Sequence, residues 1–170
     1  MSYTDHAAAD AIISDMVERE RKFLVAQLPS NLSHYANDRI RQGYLAIETH
    51  GDHGEVRLRR VGQQYLLTVK QGRGQARSEL ELPLSTKRGR KLWPLTRGRR
   101  IQKRRYQIPY DGVTIELDVY SGKNHGLCIA EVEFDSEQEA IQFDAPDWFG
   151  EEVTGRRKFA NSRIAVFGWK

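Results

Sequence analysis

The sequence predicts an α+β protein dominated by antiparallel β-structure: an eight-stranded sheet closed as a barrel, with a polar, charged interior and a few flanking helices. Three observations carry this reading. Eight segments in succession show the period-two alternation of strands, rich in β-branched and aromatic residues. Tight-turn signals separate several of them, which suits an antiparallel sheet closed on itself. In most of these segments charged residues fall on one face and apolar residues on the other.

The elements follow in order. Residues 6–16 read as a short helix from their alanines and the spacing of Ala9, Ile12, Ile13 and Met16. Residues 1–16 are thus expected to be an N-terminal helical extension, ahead of a single domain over 17–170. Strands are expected at 17–25, 39–48, 54–60, 64–70, 77–84, 103–108, 113–120 and 127–134. Gly62, Gly72-Arg73-Gly74, Asp111-Gly112 and Ser121-Gly122 supply turns. Ser85–Leu95 reads as a helix broken at Pro94. Ser136 and Glu139 form a capping box for a helix reaching about residue 143. Asn161 or Ser162 is placed to cap a final short helix.

The chain has 170 residues, the size of one ordinary domain, and can bury a core without staples. No apolar run approaches the length of a membrane span. The first 18 residues contain no Lys or Arg but do contain Asp5, Asp10, Asp15 and Glu18, so they do not read as a signal peptide, and the cytoplasm is the expected compartment. The lone cysteine, Cys128, excludes an internal disulfide framework and a cysteine-based zinc site. The net charge of +4 hides an asymmetry: residues 87–105 hold ten of the 27 basic residues and no acid. Such a segment points to a polyanionic partner: nucleic acid, anionic lipid or a phosphate-rich small molecule.

The charges inside the strands are more specific. Side chains at i and i+2 share a face. That puts Glu18, Glu20 and Lys22 together, and likewise Arg57 with Arg59, Glu79 with Glu81, Glu116 with Asp118, and Glu131 with Glu133. Lys70 ends another strand, and Lys103 shares a face with Arg105. For any single pair, a solvated sheet face is the plain alternative. The recurrence of like-charged pairs with apolar neighbours in at least five strands is not explained that way, because adjacent like charges are unfavourable unless compensated. Carboxylate-only sets suit Mg²⁺ or Mn²⁺. Arginine pairs suit bidentate phosphate contacts, with Lys as a point charge. Together they suit a metal-dependent site for a phosphate chain.

These residues resemble the CYTH superfamily, the triphosphate tunnel metalloenzymes. Glu18, Glu20 and Lys22, followed by Phe23-Leu24-Val25, match its E-x-E-x-K. Gln42-Gly43-Tyr44-Leu45 looks like its second strand, Arg57-Leu58-Arg59 its R-x-R, and Leu67-Thr68-Val69-Lys70 its strand ending in Lys. Arg77, Glu79 and Glu81 match R-x-E-x-E, Lys103, Arg105 and Tyr106 match K-x-R-Y, and Glu116 with Asp118 an acidic pair. Gly126-Leu127 through Glu131 and Glu133 matches the closing G-L…A-E-x-E. The resemblance runs from Val17 to Ile164. It implies a tunnel that binds a triphosphate chain with Mg²⁺ or Mn²⁺. By motif, Glu18, Glu20, Glu131 and Glu133 are the implied metal ligands, with Glu79, Glu81, Glu116 and Asp118 as further candidates. Lys22, Arg57, Arg59, Lys70, Lys103 and Arg105 are implied to grip the phosphates, and Glu18, Glu20 and Lys22 to take part in catalysis. Metal-activated water, not a histidine base, is implied as the nucleophile.

Trp93-Pro94-Leu95-Thr96 with Arg99-Arg100, and Trp148 through Thr154 with Asn161, look most like the small bacterial members that hydrolyse inorganic tripolyphosphate. A class IV-type adenylyl cyclase, a thiamine triphosphatase and a non-catalytic phospho-ligand binder are the alternatives. Two departures stand out: some sixteen residues precede the E-x-E-x-K, and Phe159 stands where a hydroxylated aromatic is common. The five histidines have no ligand-like spacing, and Gly72-Arg73-Gly74 is not a phosphate loop, since no G-K-[ST] follows. No RRM, KH or helix-turn-helix signal accompanies the basic segment. The expected partner is a small-molecule triphosphate, not a membrane or a nucleic acid, and the oligomeric state stays open.

Overall fold

Among the described residues, nine antiparallel strands form one sheet, with three short α-helices packed against it. The computed structural model describes residues 12–14, 19–48, 54–73 and 76–170. The strands are β1 (Ile12–Ser14), β2 (Arg19–Leu24), β3 (Asn37–Ile47), β4 (Glu55–Val61), β5 (Gln64–Arg73), β6 (Ala76–Leu84), β7 (Arg100–Tyr110), β8 (Val113–Ser121) and β9 (Cys128–Phe134). The helices are α1 (Thr86–Leu92), α2 (Glu137–Gln142) and α3 (Asn161–Phe167). The sheet order is β1-β6-β5-β4-β3-β7-β8-β9-β2. All eight expected strands are present. The expected helix over 6–16 is corrected at 12–14, which form strand β1 and pair antiparallel with β6, Ile13 opposite Leu80. A β-branched Ile-Ile pair beside the open edge of β6 outweighs the local alanine content. The rest of that segment lies outside the described residues.

Among the described residues, the edge strands β1 and β2 are not hydrogen-bonded to each other, so the ladder itself does not close the sheet. Chain connectivity still forces strong curvature. A flat sheet of nine strands would separate its edges by about 38 Å. The four residues between Ser14 and Arg19 bridge at most about 18 Å. The sheet therefore curls until its two edges come near each other.

Curling gives the sheet two differently clothed faces. On the inner face Tyr44, Ile101, Tyr120 and Ile129 pack with Val153, Phe159, Ile164 and Ala165. α3 thereby lies against the inner face of β3 and β7. On the outer face Ile108, Ile115, Leu117, Ala130, Val132 and Phe134 pack beneath Phe143, Trp148 and Phe149. Arg21, outside on β2, fastens this cover. It makes a two-bond fork with Glu152 (3.0 and 2.7 Å) and donates to the carbonyls of Ala140 (3.1 Å) and Phe143 (3.2 Å).

The helix ends follow the expected chemistry in two cases and depart from it in one. Ser85 caps α1, and Pro94 falls in a 3₁₀ turn over Trp93–Thr96, which continues the helix where an α-turn would clash. Ser136 Oγ accepts from the Glu139 amide (3.2 Å), and Glu139 reaches back to the amide of Asp135 (3.1 Å). α3 begins after Ala160 with no side-chain cap. Asn161 instead accepts from the Tyr120 hydroxyl (2.6 Å), tying the helix to the sheet.

Candidate active site

The strand register sets the charged side chains beside one another. Lys22 lies opposite Glu131 and Glu20 opposite Glu133 on β2 and β9. Glu116 lies opposite Glu131 on β8 and β9. Arg105 faces Asp118. On the far side Lys70 sits between Glu55 and Glu79, and Thr68 between Arg57 and Glu81. All of these residues except Thr68 and Asp118 line a cavity of about 1560 Å³, walled by β2 through β9 and by the C-terminal segment. Of the expected site residues, Glu20, Lys22, Arg57, Arg59, Lys70, Glu79, Glu81, Lys103, Arg105, Glu116, Glu131 and Glu133 all line it. Glu18 lies outside the described residues. Asp118 shares the strand face of Glu116 but is completely buried, bonded to Lys103 and Arg105, and does not reach the cavity.

Arg105 is the hub of the polar wall. It donates to Asp118 through two bonds of 2.8 and 2.6 Å, to Glu131 at 2.8 Å, and to Glu116. Burial opposes its charge, but these three carboxylates outweigh burial and hold the guanidinium firmly protonated. Lys22 behaves alike: burial works against its charge, and Glu131 (2.9 Å) and Glu20 (3.4 Å) more than restore it. Burial would raise the Glu131 carboxyl, yet Lys22, Lys103 and Arg105 hold it well below the usual carboxylate range.

Two cations lack such support. Lys103 is fully buried, and burial pushes its pKa down to about 8, with Arg105 adding to the fall and Asp118 only partly offsetting it. Arg59 is lowered by burial and by the charges of Arg57 and Arg105, against which Glu81 and Glu116 are insufficient. The Nε groups of both Arg57 and Arg59 are buried without a hydrogen-bond partner among the described residues. Buried donors without acceptors are unfavourable by about 1–3 kcal/mol, more when charged. Paired arginines in that state are poised for an anion.

The carboxylates fit the complementary need. Glu20 with Glu133, and Glu116 with Glu131, are like charges placed directly opposite on neighbouring strands, an arrangement a divalent cation would relieve. They are hard oxygen donors, as Mg²⁺ or Mn²⁺ require. Among the described residues no three of them are already gathered into a cation cage. Both oxygens of Asp118, expected among the metal ligands, are engaged by Lys103 and Arg105.

Sequence reasoning missed several members of the wall. Thr68, fully buried, accepts from Arg57 (3.3 Å) and donates to Glu81 (2.9 Å). Tyr44 and Gln42 stand opposite Arg57 and Arg59 and bond to each other. A neutral residue at an inward position of a charged strand was the available signal. Arg99, Arg157, Lys158 and Arg163 also line the cavity. They come from outside the strands, where alternation gives no guide.

The chain matches the CYTH domain over residues 16–165. It is 44% identical over 153 residues to an inorganic triphosphatase of Nitrosomonas europaea, covering 89% of this chain and 98% of that protein. It is 35% identical over 133 residues to an inorganic triphosphatase of Acetivibrio thermocellus, covering 76% and 81%. The crystal structure of the inorganic triphosphatase NE1496 superimposes with a TM-score of 0.69 at 40% identity, over 88% of this chain and 94% of that one. A putative adenylate cyclase from Bacillus halodurans shares the fold, with a TM-score of 0.55 at 18% identity over 76% and 85% of the two chains. Motif order, strand register and these likenesses agree: the chain belongs to the CYTH domain family.

Proposed function

We propose that the chain hydrolyses inorganic tripolyphosphate to pyrophosphate and phosphate inside this cavity, with Mg²⁺ or Mn²⁺ as cofactor, and that the curled sheet closes as a tunnel around the substrate. The observation that carries the reading is the pair Arg57 and Arg59: one buried and one half-buried, side by side on one face, each with a buried Nε that has no hydrogen-bond partner among the described residues. The inorganic triphosphatases at 44% and 35% identity support the reaction type.

In this reading Arg57 and Arg59 bind the phosphate chain from β4, while Lys70 on β5 and Lys103 on β7 add point charges. Lys22, paired with Glu131 in the free protein, turns to the reacting phosphate. Arg105 is held by Asp118, Glu116 and Glu131 and so presents its one remaining N–H, on Nη1, in a fixed orientation. Glu18, Glu20, Glu131 and Glu133 would hold a divalent ion, with Glu79, Glu81 or Glu116 available to a second. Such an ion, when bound, neutralises phosphate charge and makes hydroxide available at neutral pH. The arginines and lysines stabilise the charge that develops on the leaving pyrophosphate. Asp118 acts through Lys103 and Arg105 as a positioning residue.

The test is phosphate release from tripolyphosphate, ATP and thiamine triphosphate with Mg²⁺, Mn²⁺ or EDTA, while cyclic AMP is followed in the ATP reaction. Rapid, EDTA-sensitive cleavage of tripolyphosphate over the organic substrates is expected. Cyclic AMP formation, or tripolyphosphate binding without turnover, would overturn the assignment.

A further inference from the structure

We propose that the cavity has two ends of opposite charge and that the phosphate substrate enters at only one of them, the end beside α3, drawn there by Arg157, Lys158, Arg163 and Arg99. This rests on the triphosphatase reading above and adds a direction to it.

The two ends are separated along β7. Arg99 immediately precedes that strand, and Asp111 immediately follows it, some 40 Å away at the strand rise. At the first end the cavity wall includes Arg99, Arg157, Lys158 and Arg163, four cations against two carboxylates, Glu48 and Glu55, from the facing ends of β3 and β4. Arg157 and Lys158 are exposed, and none of Arg157, Lys158 and Arg163 has a carboxylate partner among the described residues. Arg156 beside them is different, since it is paired to Glu151 at 2.5 Å. At the second end a depression of about 500 Å³ adjoins the cavity and shares Glu116 and Glu133 with it. Its other acidic residues are Asp111, Asp135 and Glu139, and no Lys or Arg lines it.

Tripolyphosphate carries several negative charges, so both ends act on it before any contact is made. The acidic end repels it and the basic end attracts it. A low-dielectric wall focuses that field along the cavity. The four cations lie outside the set assigned to grip the phosphates, so their effect falls on the rate of arrival, not on the chemistry. Their action is also screened by salt, unlike a direct buried contact.

The association and dissociation rates of tripolyphosphate can be read from ³¹P line broadening with the full chain in EDTA, where no turnover is needed. The variant R157Q/K158Q/R163Q is expected to lower the association rate about tenfold at low ionic strength, with the dissociation rate unchanged and the deficit vanishing near 0.5 M salt. The variant D111N/D135N/E139Q is expected to leave the association rate within about twofold of the parent. An unchanged rate in the first variant overturns the proposal. So does a salt-independent loss with faster dissociation, which would make these residues direct ligands. An acceleration in the second variant equal to the loss in the first would show entry at both ends. Steady-state turnover with Mg²⁺, measured alongside, separates the two readings. Turnover with unmoved association rates sinks the entry port alone. Absent turnover with the expected rate asymmetry sinks the triphosphatase reading and leaves the port standing.

Discussion

Arg105 holds Asp118 in a two-bond fork, Nε to Oδ1 at 2.8 Å and Nη2 to Oδ2 at 2.6 Å, and the carboxylate so held is wholly shut off from solvent. A planar guanidinium on a buried carboxylate fixes direction as well as charge. Lys103 completes the arrangement by donating to the same Oδ2. Replacing Asp118 with Asn leaves two buried cations facing a neutral amide. D118N is expected to lose about 3–5 kcal/mol of stability. R105K keeps the charge and loses the fork. Chemical denaturation should show it less destabilised than D118N, while tripolyphosphate turnover falls by about 100-fold or more.

Lys103 makes the activity sensitive to alkali. With its pKa pushed down to about 8, it loses its charge as pH rises through 8 in the free protein. kcat/KM, which reports the free enzyme, should fall above about pH 8, while kcat holds to higher pH because bound phosphate restores the proton. K103R should abolish that alkaline limb. The sign for stability is opposite. Between about pH 8 and the ordinary lysine value the unfolded chain binds the extra proton, so this residue's contribution to stability rises with pH there. Below pH 8 it is constant. A Tm series across pH 7–10 on the parent and K103M, with the parent's Tm rising relative to that of K103M toward pH 10, checks it.

Arg59 is the opposite trade of stability for binding. It is held half-buried beside Arg57 and Arg105, its Nε without a partner among the described residues. R59Q should therefore fold as well as the parent or better, by about 1 kcal/mol. It should also raise the KM for tripolyphosphate about 10- to 100-fold, the loss of a charge-assisted bond. In EDTA, tripolyphosphate at 100 times its Kd should stabilise the parent by about 2.7 kcal/mol, and R59Q at the same concentration by far less. Equal thermal shifts would remove Arg59 from the binding set.

Gly89 lets α1 lie directly on the sheet. A Cβ at that position would stand 2.1 Å from the Tyr65 ring. In an exposed helix, Gly→Ala stabilises by roughly 0.5–1 kcal/mol. Here G89A must push the helix off β5, and a net loss of about 1–3 kcal/mol is expected, seen as a Tm lower by several degrees. A Tm equal to or above the parent's would mean that α1 is free to shift.

The strands and their inward faces were legible because a charged interior writes itself as alternation. Glu131-Val132-Glu133 and Arg57-Leu58-Arg59 each declare which side is which. The sheet order and the pairing of Glu20 with Glu133 were not legible, since register is set by partners distant in sequence. Ile12-Ile13 fits either period over so short a span, so β1 read as helix. Asn161 has the chemistry of a cap, yet the buried Tyr120 hydroxyl donates to its side chain instead, since a buried polar group is costly without a partner. Asp118 shows the limit from the other side. Its spacing from Glu116 puts it on the site's face, but only the fold shows Lys103 and Arg105 already occupying both its oxygens.

β1 and β2 lie on opposite margins of the sheet. Ile12–Ser14 clip onto β6, and Arg19–Leu24 clip onto β9. The region matched by the CYTH domain starts at residue 16, after the first clip. A protein trimmed to that region would keep every charged strand but bare the rim of β6, a row of amides and carbonyls open to any other chain. Shortening of the N-terminus would then register first as self-association on a sizing column, before any change in the chemistry of the cavity.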